Sequence, residues 1–323
     1  MKFTVHQASL QGKRHENQDR MGHIYTRDAL LLVVCDGLGG HAHGEEASQW
    51  VLETVAQRFQ RFATPSLPAP DVFLEASVMA AHSRILKATL QRNYKQSPRT
   101  TFVGALIQHG KLNVAHAGDS RCYLIRRGEI VFRTRDHSKL QHLITMGRMD
   151  QATELSNHPE RNKLVNCVGA EVDPIIEHSS EMVLEENDVV LLCSDGVWGS
   201  LEDADILSFV TKSELDKLVP SLVERAHIAG GMHADDATVV AMRWLDHAKP
   251  YLESDLEAKT DGKFVDSAEV ADSGFHSTIQ ITVQADHPSG APLSDDEIDA
   301  SIEEINAAIA KSKLWAQQFK NNH

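Results

Sequence analysis

The 323-residue sequence has few positive charges, few aromatic residues and no long hydrophobic run. It contains 32 Lys and Arg against 46 Asp and Glu, which gives a formal net charge of −14 at pH 7. This acidic balance argues against sequence-independent nucleic-acid binding and against attachment to anionic membranes. The longest apolar run, residues 29–35, is too short to cross a bilayer, and the first residues do not resemble a signal peptide. We therefore expect a cytoplasmic protein.

Cysteine is scarce as well, with four residues in the chain. Cys35, Cys122, Cys167 and Cys193 do not have the spacing of a metal site, and nothing in the sequence indicates secretion. Cys35 and Cys193 lie inside apolar runs, where a small thiol is usually buried. The sequence therefore predicts buried, reduced thiols.

The most informative segments combine a short apolar run with aspartate. They are Val33-Val34-Cys35-Asp36-Gly37, Leu191-Leu192-Cys193-Ser194-Asp195-Gly196 and Asp235-Asp236-Ala237-Thr238 followed by Val239-Val240-Ala241-Met242. Apolar runs of this length between turn residues predict buried strands. The aspartates would then lie at strand ends, on a rigid scaffold.

Carboxylates gathered in one place repel each other, by about 4 kcal/mol per pair at 4 Å for an effective dielectric of 20. Divalent cations between them remove this cost. Oxygen ligands suit Mg²⁺ and Mn²⁺, so the pattern indicates a metal centre of that kind.

The order of elements indicates the fold class. Residues 3–11 and 29–35 predict strands, residues 44–62 and 72–90 predict helices, and residues 100–132 predict several strands separated by glycines. The further expected elements are a helix at 137–147, strands at 174–178 and 188–193, helices at 202–210 and 214–229, and a strand at 236–245. Strands in blocks with short turns favour antiparallel sheet covered by helices.

The composition changes after Leu245. Residues 246–323 hold fifteen acidic residues against six lysines, so this quarter carries −9 of the net charge. We expect a catalytic domain at 1–245, an acidic linker at 246–277 and a C-terminal extension at 278–323. The extension predicts a short strand at 278–283 and an amphipathic helix that begins near a capping box of Ser294 and Glu297. That helix docks either on its own body or on a partner; the sequence leaves both open.

Taken together, the motifs resemble the metal-dependent serine/threonine protein phosphatases of type 2C (the PPM family), in their bacterial branch. The resemblance covers about residues 7–244 in family order. The segments that carry it are Arg14-His15-Glu16-Asn17-Gln18-Asp19, Asp36-Gly37-Leu38-Gly39-Gly40-His41, Thr100-Thr101, Ala117-Gly118-Asp119-Ser120-Arg121, Asp136-His137-Ser138, His158-Pro159-Glu160-Arg161-Asn162, Ser194-Asp195-Gly196 and Asp235-Asp236-Ala237-Thr238. Each segment alone is a weak signal, but eight in the right order are specific.

The resemblance implies an α+β fold, a four-layer α-β-β-α sandwich of two antiparallel sheets flanked by helices. It also implies two Mn²⁺ or Mg²⁺ ions, with a third ion in bacterial relatives. The implied ligands are Asp36, which bridges two ions, the carbonyl of Gly37, and Asp195 and Asp235 on the second ion. Asp119 resembles the third-ion ligand, with the role of an ordinary turn residue as the alternative.

Further roles follow from the same resemblance. Asp19 is similar to the outer carboxylate that holds a metal-bound water. Asp236 is expected outside the ligand set, with direct ligation as the alternative. Arg14 resembles the phosphate-binding arginine, with a surface ion pair as the alternative. Leu38 stands where animal relatives have a histidine that acts as general acid, which leaves His41 or a metal-bound water for that step.

The implied activity is Mn²⁺- or Mg²⁺-dependent hydrolysis of phosphoserine and phosphothreonine in proteins by a hydroxide that bridges the two ions. Phosphorylated proteins, including a serine/threonine kinase whose action it reverses, are the expected partners. Two alternatives stay open at this point. One is a pseudophosphatase that binds without catalysis, and the other is a hydrolase of small phosphoesters on the same site.

Overall fold

The structure is a computed structural model that describes residues 1–38, 43–64, 66–149, 160, 163–212, 214–246 and 276–277. Within these residues the strands form two antiparallel sheets, one of five strands and one of seven. Helices cover the outer faces. The described part of the chain contains no helix that is both long enough and apolar enough to span a membrane.

The five-stranded sheet has the order β1-β11-β10-β6-β7. Its members are β1 (Phe3–Leu10), β6 (Arg121–Arg126), β7 (Glu129–Arg133), β10 (Val189–Cys193) and β11 (Ala237–Trp244). The two termini of the folded unit meet here, because β1 pairs with β11 along its whole length.

The seven-stranded sheet has the order β12-β2-β3-β4-β5-β8, with β9 also paired to β5. Its members are β2 (Asp19–Tyr25), β3 (Ala29–Asp36), β4 (Phe102–Gln108), β5 (Lys111–Ala117), β8 (Glu177–His178), β9 (Met182–Val183) and β12 (His276–Ser277). The connection from β5 to β6 crosses from this sheet to the other one.

The longer helices pack on the outside of the two sheets. The helices are α1 (Gly44–Phe62), α2 (Pro70–Gln91), α3 (Lys139–Thr145), α4 (Asp195–Trp198), α5 (Asp203–Lys212) and α6 (Leu215–Gly230), with a short 3-10 turn at Gly231–His233. Helices α1 and α2 cover the seven-stranded sheet, while α5 and α6 cover the five-stranded sheet.

Strand β3 explains the layers. All eight of its residues are buried. Leu31 and Val33 pack in the cluster under α1 and α2, whereas Leu30 and Leu32 pack in the cluster between the sheets. Because side chains alternate along a strand, an unbroken apolar run serves two cores at once. This arrangement confirms the four-layer sandwich that the sequence predicted.

Strand β2 was not predicted, although it carries Asp19. Arg20, Gly22 and His23 interrupt its apolar pattern, so its local sequence does not indicate a strand. It forms because β3 offers a complete antiparallel partner from Asp36 to Leu30. Tertiary pairing overrides weak local preference here. The helix α4 and the strand β9 were also missed, because they have only four and two residues.

Beyond Leu245 the structure describes only residues 246, 276 and 277, so it tests little of what was predicted there. His276–Ser277, at the end of the predicted linker, form β12 and pair with His23 and Gly22 of β2. The predicted strand at 278–283 and the helix that begins near Ser294 lie outside the described residues. The division into catalytic domain, linker and extension therefore stays a prediction.

Candidate metal centre

Five aspartates from separate parts of the chain meet at one end of the sandwich. Asp36 ends β3, and Asp19 begins β2 directly opposite it in register. Asp195 begins α4 just after β10, and Asp235 lies just before β11, the strand that pairs with β10. Asp119 lies in the turn between β5 and β6. Antiparallel pairing thus brings distant acidic residues to one edge.

The main chain of Asp36 is held by the next strand. Its N–H donates to Thr101 Oγ1 at 2.9 Å, and its carbonyl oxygen accepts from Thr101 N–H at 2.8 Å. Thr101 Oγ1 in turn lies 2.7 Å from Ser120 Oγ, next to Asp119. These bonds tie the end of β3 to the turn that carries Asp119.

Gly37 follows Asp36 at a place where no side chain fits. A Cβ atom there would lie 2.5 Å from the carbonyl oxygen of Gly44 and 2.8 Å from that of Gln18. The Gly37 N–H donates to the Gln18 carbonyl at 3.2 Å. The start of α1 and the segment before β2 therefore approach the end of β3 closely.

Asp36 and Asp119 are buried, and neighbouring carboxylates raise the pKa of both. Burial raises the pKa of Asp36 well above its usual range, and Asp19, Asp195, Asp119 and Asp235 raise it further. Burial, followed by Asp195, likewise raises the pKa of Asp119. Like charges gathered in a desolvated place disfavour ionisation, which is the electrostatic signature of a site that accepts cations.

Asp19 is anchored through one carboxylate oxygen. Ser194 Oγ donates to Asp19 Oδ2 at 2.7 Å, and Thr238 N–H donates to the same hydroxyl at 3.1 Å. Asp19 Oδ1 is buried, and among the described residues no hydrogen-bond donor reaches it. Burial raises the pKa of Asp19. A buried acceptor without a donor costs free energy unless a ligand or water satisfies it.

Arg14 lies beside this group of carboxylates. Its Nη2 donates to Asp235 Oδ2 at 2.7 Å. Burial disfavours the guanidinium charge, but Asp235, Asp36 and Asp195 outweigh that effect and raise the pKa of Arg14. The side chain is 39% exposed, so it also reaches the surface of the site.

Asp236 has a different position from its neighbour Asp235. It is 1% exposed, and both of its oxygens accept backbone hydrogen bonds of 2.8 Å, from Gly12 and from Gln18. It therefore fastens the segment that carries Arg14 to the start of β11. This geometry supports the expectation that Asp236 lies outside the ligand set.

The structure describes all of the predicted site residues except His41. The structure brings together Arg14 and the acidic residues Asp19, Asp36, Asp119, Asp195, Asp235 and Asp236. His41 lies outside the described residues, so its role stays a prediction. Thr101, Ser120 and Ser194 had no role predicted from the sequence, although each lies in a motif segment. The Thr101 and Ser194 hydroxyls bond to Asp36 and Asp19, and the Ser120 hydroxyl bonds to Thr101.

The donor set fits magnesium or manganese. Carboxylate oxygens from several aspartates and an unsatisfied oxygen of Asp19 are ligands of the type these hard cations prefer. The four cysteines are buried thiols outside this set. The arrangement can therefore concentrate divalent positive charge next to an arginine, which suits binding of a phosphate group.

The chain is similar in sequence to serine/threonine phosphatases. The family described as protein phosphatase 2C matches residues 7–239. The serine/threonine protein phosphatase PstP of Mycobacterium tuberculosis is 33% identical over 237 residues, which are 72% of this chain and 43% of that protein. The serine/threonine phosphatase stp of Listeria innocua is 27% identical over 70% of this chain and 90% of its own length.

Solved structures agree with the sequence comparison. The Mycobacterium tuberculosis phosphatase PstP/Ppp aligns with a TM-score of 0.65 at 31% identity, over 76% of this chain and 99% of that one. The catalytic domain of PstP in complex with two manganese ions aligns with a TM-score of 0.62 at 29% identity, over 76% and 99% of the two chains. The matched region spans less than half of full-length PstP.

Proposed function

The chain belongs to the protein phosphatase 2C family, and from this premise we propose that it hydrolyses phosphoserine and phosphothreonine in proteins with the help of Mn²⁺ or Mg²⁺. The observation that carries the proposal is the meeting of Asp119, Asp195 and Asp235 around Asp36, whose pKa is raised by its burial and raised further by these carboxylates. Without bound cations, the repulsion between these carboxylates would only destabilise the fold.

The aspartates divide the work of holding the ions. In this proposal Asp36, the Gly37 carbonyl, Asp195 and Asp235 hold two cations, and Asp119 with Asp195 holds a third. When bound, the cations neutralise phosphate charge and supply an activated water as nucleophile. Asp19 would accept a hydrogen bond through Oδ1 from a water at this place, while Ser194 keeps its other oxygen fixed.

Arg14 positions the substrate in this proposal. A guanidinium presents two parallel donors, which match two oxygens of a phosphate group. Asp235 contacts Nη2 and sets the direction of the side chain at the rim of the site. His41, or water at the site, would supply the proton for the leaving group.

Two other functions would use the same fold. A pseudophosphatase would lack part of the ligand set, whereas this chain retains Asp36, Asp195 and Asp235 together. A hydrolase of small phosphoesters would share the whole centre, so only substrates distinguish it. The names of the two relatives favour a protein substrate, because one is a serine/threonine protein phosphatase and the other a serine/threonine phosphatase.

Partners and location follow from this choice. We propose cytoplasmic phosphoproteins as substrates, including a serine/threonine kinase that this enzyme would oppose. The net charge of −14 argues against nucleic acid and anionic membranes as partners. The extension at 278–323 would dock on the catalytic domain or on one of these proteins.

A phosphatase assay tests the proposal directly. Peptides with phosphoserine, phosphothreonine or phosphotyrosine, and small phosphoesters, are offered with Mn²⁺, with Mg²⁺ or with a chelator. We expect metal-dependent release of phosphate from the first two peptides. No hydrolysis of any substrate with either metal would support the pseudophosphatase, and turnover of small phosphoesters alone would support the second alternative.

A further inference from the structure

A second cluster of ionisable side chains lies against the β5–β6 turn. His116 in β5, His137 after β7 and Glu177 in β8 each offer a ligand-type atom, and these atoms lie within 4.8 Å of one another. The two imidazole rings stack with centroids 4.5 Å apart. His137 also contacts Gly118, the residue before Asp119.

The hydrogen bonds assign the proton on His137. Its Nδ1 lies 3.2 Å from the backbone N–H of Gly118, which can only donate. The amide nitrogen of Asn166 lies 2.7 Å from the same atom. Asn166 cannot turn round, because its oxygen accepts from Ile175 N–H and its nitrogen donates to the Ile175 carbonyl. Nδ1 is therefore an acceptor without a proton, and Nε2 carries the proton.

This tautomer argues against a cation site in the cluster. The protonated Nε2 of His137 donates to Glu177 Oε2 at 3.2 Å, so it has no lone pair for a metal. His116 Nε2 donates to the Arg135 carbonyl at 2.7 Å. Burial, with His137 as the next cause, lowers the pKa of His116 to about 4 and keeps that ring neutral. The cluster is a hydrogen-bonded support.

The cluster of His116, His137 and Glu177 supports Gly118. Besides accepting from the Gly118 N–H, His137 donates its own backbone N–H to the Gly118 carbonyl at 2.9 Å. One residue therefore holds both polar groups of Gly118. With φ at +116°, and with Thr101 Cβ 2.7 Å from any added Cβ, this position requires glycine. Such a backbone needs outside contacts to stay in one conformation.

The other side of Asp119 is held by Trp198. The indole Nε1 donates to the Asp119 carbonyl at 2.9 Å. Arg121 links the two supports: it makes a bidentate pair with Asp136 at 2.8 and 2.7 Å, and its guanidinium lies 3.7 Å from the centre of the Trp198 ring. Since Asp136 precedes His137, the contacts on both sides of Asp119 form one unit.

We propose that His137 is a positioning residue for Asp119: its unprotonated Nδ1 fixes Gly118 and thereby sets where the Asp119 carboxylate can meet a cation. The hold on Gly118 is independent of the proposed function. The consequence for a cation rests on it, because it uses Asp119 as a ligand.

Two substitutions of the full-length protein separate this role from general packing. In His137→Asn the side-chain oxygen can take the place of Nδ1 and accept from Gly118. In His137→Gln the oxygen reaches towards the place of Nε2 instead. We expect hydrogen exchange of the Gly118 amide, followed by NMR with chelator present, to be at least about tenfold faster in the Gln variant. The Asn variant should stay within about threefold of wild type.

Calorimetric titration with Mn²⁺ gives the second measurement. The Gln variant should bind the proposed third ion, the one that Asp119 holds, about tenfold less tightly. The Asn variant should bind it as wild type does. Asp119→Asn is the matched control, because it should weaken the same ion while Gly118 exchange stays slow. Glu177→Gln keeps an acceptor for Nε2–H and should leave both measurements unchanged.

Several results would overturn the inference. Slow Gly118 exchange in the Gln variant would refute the hold on the turn, and unchanged Mn²⁺ binding despite fast exchange would refute the consequence for the cation. If the Gln variant does not fold, the ¹⁵N spectrum of the wild-type histidine decides, since protonation on Nδ1 contradicts the arrangement. Activity of Asp36→Asn would instead refute the proposed function and leave the Gly118 result standing.

Discussion

Asp36 and Asp119 reach the same end of the sandwich but are held in different ways. Asp36 is the last residue of β3, a fully buried strand with partners on both sides. Asp119 lies in a turn between the sheets, and His137 and Trp198, distant in sequence, hold the residues around it. Packing of the core fixes the position of Asp36, whereas a few hydrogen bonds fix the position of Asp119.

The two positions therefore differ in how easily a substitution can shift them. To move Asp36, a substitution must disturb strand pairing or the packing of two hydrophobic clusters, which costs several kcal/mol. Asp119 can shift when a single bond to the turn is lost, at a cost of about 1 kcal/mol. We therefore expect the proposed third cation, on the Asp119 side, to be the adjustable one.

The largest expected effect concerns these two residues themselves. Asp36→Asn should lower Mn²⁺-dependent hydrolysis of an aryl phosphate by about 10³-fold or more, because several kcal/mol of charge stabilisation would be lost. Asp119→Asn should lower it less. Circular dichroism should show both variants folded, and Glu129→Gln in β7 serves as an exposed control. Equal losses would remove the distinction between the two positions.

The next effect is on stability and depends on pH. The pKa of Asp36 is raised in the folded protein, so the folded state keeps a proton that the unfolded chain loses near pH 4. In chelator, the free energy of unfolding of wild type should therefore fall as pH rises from about 4 towards the folded pKa.

Asp36→Asn removes this contribution. In urea unfolding with chelator we expect the variant to be more stable than wild type by about 1–3 kcal/mol at neutral pH, and the gain should vanish near pH 4. Added Mn²⁺ should reverse the order, since wild type binds the ion and gains stability from it. A variant that is less stable at neutral pH in chelator would show that the carboxylates do not repel.

The contrast between the two positions also explains what the sequence could predict. The end of β3 was predictable because an unbroken apolar run stops at Asp-Gly, and the end of β10 and the start of β11 carry similar patterns. The support of Asp119 was not predictable from composition or period. His137 and Trp198 act through bonds to backbone atoms nineteen and seventy-nine positions away in sequence.

Strand β2 shows a second limit of the sequence. Its residues become a strand only because β3 pairs with them, and Asp19 gains its position opposite Asp36 from that register. The family resemblance identified Asp19 as important before any local pattern could place it. The hydroxyls of Ser194 and Thr101 escaped notice because serine and threonine occur in many turns for unrelated reasons.

Arg14 provides a smaller test on the open side of the site. Arg14→Ala should raise KM about tenfold and leave kcat within about threefold, if the guanidinium binds the phosphate equally in the ground and transition states. Arg14→Lys, which keeps the charge but not the planar fork, should be intermediate.

Arg14→Ala also tests how Asp235 binds a cation. Because Arg14 donates to Asp235 Oδ2, its guanidinium competes with a cation for that oxygen, and Mn²⁺ should bind more tightly in calorimetry when Arg14 is replaced. Weaker Mn²⁺ binding in Arg14→Ala would mean that the arginine organises the carboxylates rather than competing for one of them.

The smallest expected effect comes from the C-terminal quarter. Removal of residues 247–323 deletes β12, which pairs through only two residues with β2, and keeps the bond from Leu245 N–H to the Lys2 carbonyl. The family match ends at residue 239. We therefore expect hydrolysis of an aryl phosphate within about twofold of the full chain and a loss of stability below about 1 kcal/mol.

His276→Pro in the full chain is the matched control, since proline cannot donate to β2. If the truncated protein folds but loses activity while the proline variant keeps it, the tail completes the site by contacts other than β12. If both lose activity, pairing of β12 with the edge of β2 is required to hold Asp19 opposite Asp36. The Asp36 side would then depend on distant contacts as the Asp119 side does, and the difference between them would disappear.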